Sequence, residues 1–83
     1  MIVYKKLWAT MKAQGVTYYQ LEKHYCFSTS TLRRLQNNSP VNTETLNRLC
    51  YILGCDLSDI AEFIQDDNEK LELLKDINSK ISS

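Results

Sequence analysis

Four times along this chain an apolar residue precedes a helix-capping side chain, and another apolar residue follows four positions after the cap. The sets are Val16-Thr17 with Leu21, Phe27-Ser28 with Leu32, Val41-Asn42 with Leu46, and Cys55-Asp56 with Ile60. The first N–H groups of a helix have no partner inside it, and a Ser, Thr, Asn or Asp oxygen at the cap accepts a bond from one of them. The apolar pair astride the cap packs together and fixes how the chain enters the helix. Thr17 with Gln20 adds a reciprocal capping box. A chain punctuated this way reads as a succession of short helices.

The helix ends agree with the starts. The only two glycines, Gly15 and Gly54, each follow an apolar-periodic run, where a left-handed turn favours glycine. Pro40, the only proline, sits in the polar stretch NNSPVN, a loop. Tyr4, Leu7, Trp8 and Met11 recur at helical spacing, as do Leu46, Leu49, Cys50 and Leu53, and then Leu57, Ile60, Ala61 and Ile64. No period-2 strand is evident. The pattern predicts five helices, at about 3–14, 18–25, 29–36, 43–53 and 57–64. It predicts an all-α domain over residues 1–66 and a separate tail over 67–83. In that tail Leu71, Leu74, Ile77 and Ile81 lie at helical spacing after the polar break QDDNE. A helix so short is marginal alone, so the tail must pack on its own domain, pair with a partner, or stay partly disordered.

Size and charge narrow the class. A chain of 83 residues makes one domain, with a core workable for helices without staples. Its 43% hydrophobic and 24% charged residues are ordinary for a soluble protein. The apolar runs are too short for a membrane span or a signal peptide. Three cysteines, Cys26, Cys50 and Cys55, cannot all pair, which suits a reducing cytoplasm. Formal charge is zero overall but unevenly spread. Residues 1–55 carry seven bases and two acids, net +5, and residues 56–83 carry three bases and eight acids, net −5. The leading segment is a basic module suited to phosphates, and the acidic end is kept apart from them.

Within that basic module, Thr17–Gln36 reads as two short helices joined by a tight turn. The second presents Thr29, Ser30 and Arg33 on one side and turns Leu32 and Leu35 inward. A short helix with small hydroxyls and an arginine facing out can enter the DNA major groove. Arg33 can fork onto guanine O6 and N7, a contact worth about 1–3 kcal/mol of discrimination, whereas small hydroxyls discriminate weakly.

On these residues the chain resembles the lambda-repressor-like family, also called Cro/cI-type or XRE. The likeness covers roughly residues 3–66 and includes NTETLNRLCYILGCD, which looks like the family's fourth helix, and LSDIAEFI, which looks like its fifth. It implies a compact five-helix domain whose third helix is the reader, and a role in transcription. It places Leu21, Tyr25, Phe27, Leu32 and Leu35 at buried positions, and Thr29, Ser30 and Arg33 against bases. It places Thr17, Tyr18, Ser28, Arg34, Asn37 and Asn38 near the DNA backbone, where contacts position without reading sequence. Two residues depart from the pattern. Cys26 stands where the family usually has glycine, so either it is strained or the turn differs. Glu22 stands where many members have alanine, and its carboxylate must reach solvent or a base such as Lys23 or Arg33.

Other chemistries find less support. His24 is the only histidine, with no nucleophile arranged beside it. His24, Cys26, Cys50 and Cys55 match none of the usual zinc spacings. Cys50 fits the core stripe, and Cys55 fits the turn as a small hydrophobe. No glycine-rich phosphate loop or paired carboxylates occur, so no enzyme, cofactor, metal or small-molecule ligand is expected. Trp8 is expected in the core, with Tyr18 and Tyr19 covering a helix edge. The expected partners are double-stranded DNA and a second copy of the chain. The alternative is a protein-interaction module, antitoxin-like or antirepressor-like, that uses the tail's apolar stripe.

Overall fold

The computed structural model describes residues 1 to 82, and side-chain surroundings as far as Lys75. Three of the four cap sites open α-helices. Thr17 caps α2 (Tyr18–Lys23), Ser28 caps α3 (Thr29–Gln36) and Asn42 caps α4 (Thr43–Leu53). Each cap oxygen accepts the backbone N–H three residues on: Gln20 at 3.1 Å, Thr31 at 3.1 Å and Thr45 at 2.9 Å. The helix before them, α1 (Lys5–Gln14), starts later than its periodicity suggests and ends at Gly15, whose φ of 73° is left-handed.

The core gathers one face from each of these helices. Tyr4, Leu7, Met11, Leu21, Phe27, Leu32, Leu35, Leu49, Leu53 and Ile60 form one buried cluster. Trp8 is half-buried and packs against it. Each fully buried aliphatic side chain contributes roughly 1.5–3 kcal/mol relative to exposure, so this cluster carries the fold. Two side chains lash α1 across it. Gln14 Nε2 donates to the Leu53 carbonyl at 2.6 Å, and the Thr10 hydroxyl donates to the Asp59 carbonyl at 2.8 Å.

The expected helix at 57–64 is a correction. Only Leu57–Asp59 is helical there, as a single 3₁₀ turn, and Glu62–Phe63 is a strand, β2. It pairs antiparallel with β1 (Ile2–Val3), with Ile2 opposite Phe63 and Val3 opposite Glu62. The periodicity misled because one turn already satisfies it. Ile60 is fully buried and Ala61 half-buried, while Leu57 and Ile64 remain exposed. Pairing with the β-branched start of the chain then draws residues 62–63 straight, and the Ile64 N–H donates to the Met1 carbonyl at 2.8 Å. Asp56 also acts differently from the other caps. Its own N–H donates to the Asp59 carboxylate at 3.1 Å, and its main-chain carbonyl receives the Asp59 N–H.

The tail forms α5 (Asp67–Ser82), the fifth α-helix among the described residues. Asp66 opens it, its carboxylate accepting from Asn68 and Glu69 N–H groups. Leu71, Leu73 and Leu74 are exposed, Leu71 by 70%. Ile77 and Ile81, the other half of the predicted stripe, lie outside the residues whose side chains are described.

Candidate nucleic-acid interface

The two-helix unit is built from its caps inward. Thr17 and Gln20 close the predicted box: Gln20 N–H donates to the threonine hydroxyl, and Gln20 Oε1 accepts Thr17 N–H at 2.9 Å. Leu21 then drops into the core, and α2 stops at Lys23. In the turn that follows, Cys26 has φ 58°. The family geometry is therefore kept with a cysteine in the left-handed region, a conformation that costs a non-glycine residue about 1–2 kcal/mol.

Arg48, from the middle of α4, holds the residues on both sides of that cysteine. Its guanidinium donates to the Tyr25 carbonyl, and its charge lies over the Phe27 ring, 4.2 Å from the centroid. The Phe27 N–H also donates to the Leu21 carbonyl at 3.0 Å. The neighbouring structure thus over-determines the strained turn, which is how such a residue persists. Sequence reading counted Arg48 as one more positive charge. Its structural role depends on a contact across 23 positions, which no local pattern signals. Tyr25, expected in the core, is instead 39% exposed. Its main chain serves the clamp, and Phe27 fills the buried position alone.

Downstream of the turn, α3 sorts its residues by face. Leu32 and Leu35 are wholly buried, and Thr29, Ser30, Arg33 and Arg34 are exposed. Helical geometry sets Thr29, Arg33 and Gln36 on one stripe, at i, i+4 and i+7. Gln36 is exposed too and was absent from the predicted set, although its spacing from Thr29 was readable. Neither arginine forms an ion pair among the described residues. The nearby acid is accounted for, since Glu22 is half-buried with its carboxylate 3.8 Å from Lys23.

The residues expected near the DNA backbone differ in what they have left to offer. The Thr17 hydroxyl accepts within its cap and still has a proton to donate. Tyr18 is half-buried against the core. The Ser28 hydroxyl accepts from Thr31 N–H and donates to Thr31 Oγ1 at 2.8 Å, so its proton is committed. Arg34 and Asn37 are exposed, the latter at the end of α3. Asn38 is half-buried at φ 54°, and its Oδ1 accepts the Tyr4 N–H at 2.8 Å. It ties the end of α3 to the start of α1, and its amide NH₂ is the part left for another partner.

His24 and Cys26 are exposed at the turn, and the described residues contain no group of three or more metal-ligating side chains. No described helix is long and apolar enough to cross a membrane. A crystal structure of the transcriptional regulator VanUg is similar to this chain, with a TM-score of 0.72 and 29% identity. The likeness covers 78% of this chain and 87% of that one. Among curated proteins none matches. The family model for the Cro/C1-type helix-turn-helix DNA-binding domain matches residues 6–66, a span that runs from the first turn of α1 past α4 and includes the clamped turn, and the chain belongs to that family.

Proposed function

We propose that this chain is a sequence-specific transcriptional regulator that reads the DNA major groove with α3. One observation carries the reading: the helix buries Leu32 and Leu35 and turns Thr29, Ser30 and Arg33 outward, free of ion pairs among the described residues. Arg33 supplies the strongest base chemistry, bidentate to guanine. Gln36 lies on the same stripe and can pair with adenine N6 and N7. Arg34, Asn37 and the Thr17 hydroxyl set the register through phosphates, with Tyr18, Ser28 and the Asn38 amide at the margin. Residues 1–66 are the reading domain, and 67–83 are the tail.

A domain this small touches few phosphates, so its affinity is modest and strongly dependent on salt. A two-fold pair would double the contacts and select half-sites about one helical turn apart. The face from β2 to α5 supports such a pair. Phe63 is 68% exposed and lines one groove with Leu73 and Leu74, and Leu71 is exposed on α5 outside that groove. A helix with exposed leucines gains its stability from what packs on it. On this reading the protein is a repressor-type regulator in the cytoplasm of a bacterium, or one carried by a phage or mobile element.

Selection of bound sequences from random DNA at controlled salt tests the proposal, with Arg33→Ala alongside. An enriched motif that Arg33→Ala loses or relaxes supports it. No enrichment at moderate salt, or equal binding by the variant, rejects it. The same exposed leucines favour a second reading, a protein-interaction module whose tail captures another protein. Light scattering after size exclusion separates the two. A dimer through the tail fits the regulator, and a monomer that binds no DNA fits the module.

A further inference from the structure

Two of the three cysteines meet at the end of α4, where the reading of DNA makes no use of them. Gly54, at φ 57°, turns the chain left-handed, and both its N–H and that of Cys55 return to the Cys50 carbonyl, the latter at 3.1 Å. This six-residue closure is the Schellman turn, which folds the residue after the glycine back over the residue that accepts the bond. An apolar contact between those two side chains frequently accompanies this turn. Here it is between two cysteines, both half-buried against the core. Cys26 takes no part in this contact. It lies exposed in the turn between α2 and α3.

We propose that Cys50 and Cys55 form an intrachain disulfide on exposure to a low-molecular-weight disulfide, making the end of α4 a site of reversible oxidation. The chemistry is two thiol–disulfide exchanges. One protein thiolate attacks a sulfur of the small disulfide, the S–S bond of the reagent breaks, and one small thiol leaves. The other protein thiolate then attacks the protein sulfur of that mixed disulfide, forming the Cys50–Cys55 bond and releasing the second small thiol. Two cysteines are oxidised, one disulfide is reduced to two thiols, and the two protons leave with them. The turn favours the second step because its backbone closure already brings residues 50 and 55 together before the reagent arrives. Burial, reinforced by the thiol of Cys50 and the carboxylates of Asp59 and Asp56, pushes the Cys55 thiol up. The new bond fastens α4 to the 3₁₀ turn that delivers Ile60 to the core.

The test uses the full chain with Cys26→Gly, a residue suited to the φ at that position, so that two thiols remain. The folded protein is incubated with glutathione disulfide, alkylated and weighed intact. Loss of both thiols together, a mass lower by about 2 Da for two hydrogens, no retained glutathione and a monomer on a non-reducing gel are expected. Cys50→Ser and Cys55→Ser in the same background should each stop at a mixed disulfide carrying one glutathione. Two alkylated thiols, a stable glutathione adduct on the two-thiol protein, or a covalent dimer overturns the proposal.

Discussion

The helices α3 and α5 are made of similar materials and put them to opposite uses. α3 has eight residues and hides both of its leucines completely. α5 has sixteen residues, and all three of its described leucines face solvent. Length therefore does not measure how well a helix is anchored. The shorter helix is fixed by a cap, two buried leucines and a clamped turn before it. Among the described residues, the longer one has an opening cap at Asp66 and an ion pair from Glu69 to the Met1 ammonium at 3.3 Å, with no buried leucine. The inward face of α3 is fully used. The tail has an apolar face still to use.

The widest gap between the two should appear in truncations of leucine. Leu32→Ala removes a side chain with no exposure and leaves a cavity, at a cost of about 2–5 kcal/mol. In a domain this small that is a large share of the total stability. Leu71→Ala, at a site 70% exposed, should move the stability of the monomer by less than about 0.5 kcal/mol. Urea denaturation at low protein concentration measures both. If Leu71→Ala costs as much as Leu32→Ala in dilute solution, α5 is packed on its own chain, and the contrast fails.

DNA binding sharpens the comparison from the other side. Arg33→Ala should cost about 1–3 kcal/mol against the preferred sequence and relax selectivity at one base pair. Arg34→Ala should weaken all sequences alike and lower the salt slope by about one. Titrations at several salt concentrations, with matched and scrambled sites, distinguish the two effects. Equal losses on both sites for Arg33→Ala would reduce that residue to a phosphate contact.

The two regions also differed in how much of them could be read beforehand. Thr17, Ser28 and Asn42 announce their helices because capping is chemistry within four residues, and a sequence displays it directly. The inward leucines of α3 are legible for the same reason. The ribbon is not, since Ile2 meets Phe63 across most of the chain and neither segment alternates long enough to read as a strand. Leu57, Ile60 and Ala61 have the spacing of a helix, yet a single 3₁₀ turn meets that spacing as well. At the proposed reading surface, the outward residues of α3 could be placed from period alone. The clamp by Arg48 and the Asn38 bond to Tyr4 could not, because each joins segments that only the folded chain brings together.

The clamp itself sets the next effect. Arg48→Ala removes a charged hydrogen bond at the Tyr25 carbonyl and the contact over Phe27, together about 1–2 kcal/mol at a half-buried site. Arg48→Lys should recover only part of this, because an ammonium lacks the planar fork that bonds and stacks together. Thermal midpoints of the three proteins, with DNA affinity measured well below those midpoints, separate loss of fold from loss of the angle between α2 and α3. If Arg48→Ala unfolds at the wild-type temperature, the turn is held by its own backbone bonds.

The smallest effects test the two non-glycine residues in the left-handed region, and they should differ in sign. Cys26 is exposed, and its side chain makes no hydrogen bond within the turn, so Cys26→Gly relieves strain and loses little. The relief is offset by the greater freedom glycine gives the unfolded chain, leaving a gain of roughly 0.5–1 kcal/mol. Asn38 sits at almost the same φ, 54° against 58°. Asparagine tolerates that region better than cysteine, so glycine relieves less there. Asn38→Gly also deletes the acceptor for the Tyr4 N–H, a 2.8 Å bond between the end of α3 and the start of α1. Leaving that buried residue's donor unpaired costs about 1–3 kcal/mol if no water replaces the oxygen, so the net change should be a loss near 1 kcal/mol. Denaturant midpoints measured side by side decide it. Equal gains from the two glycines would mean that backbone strain alone sets both positions, and that the carboxamide of Asn38 remains available for DNA.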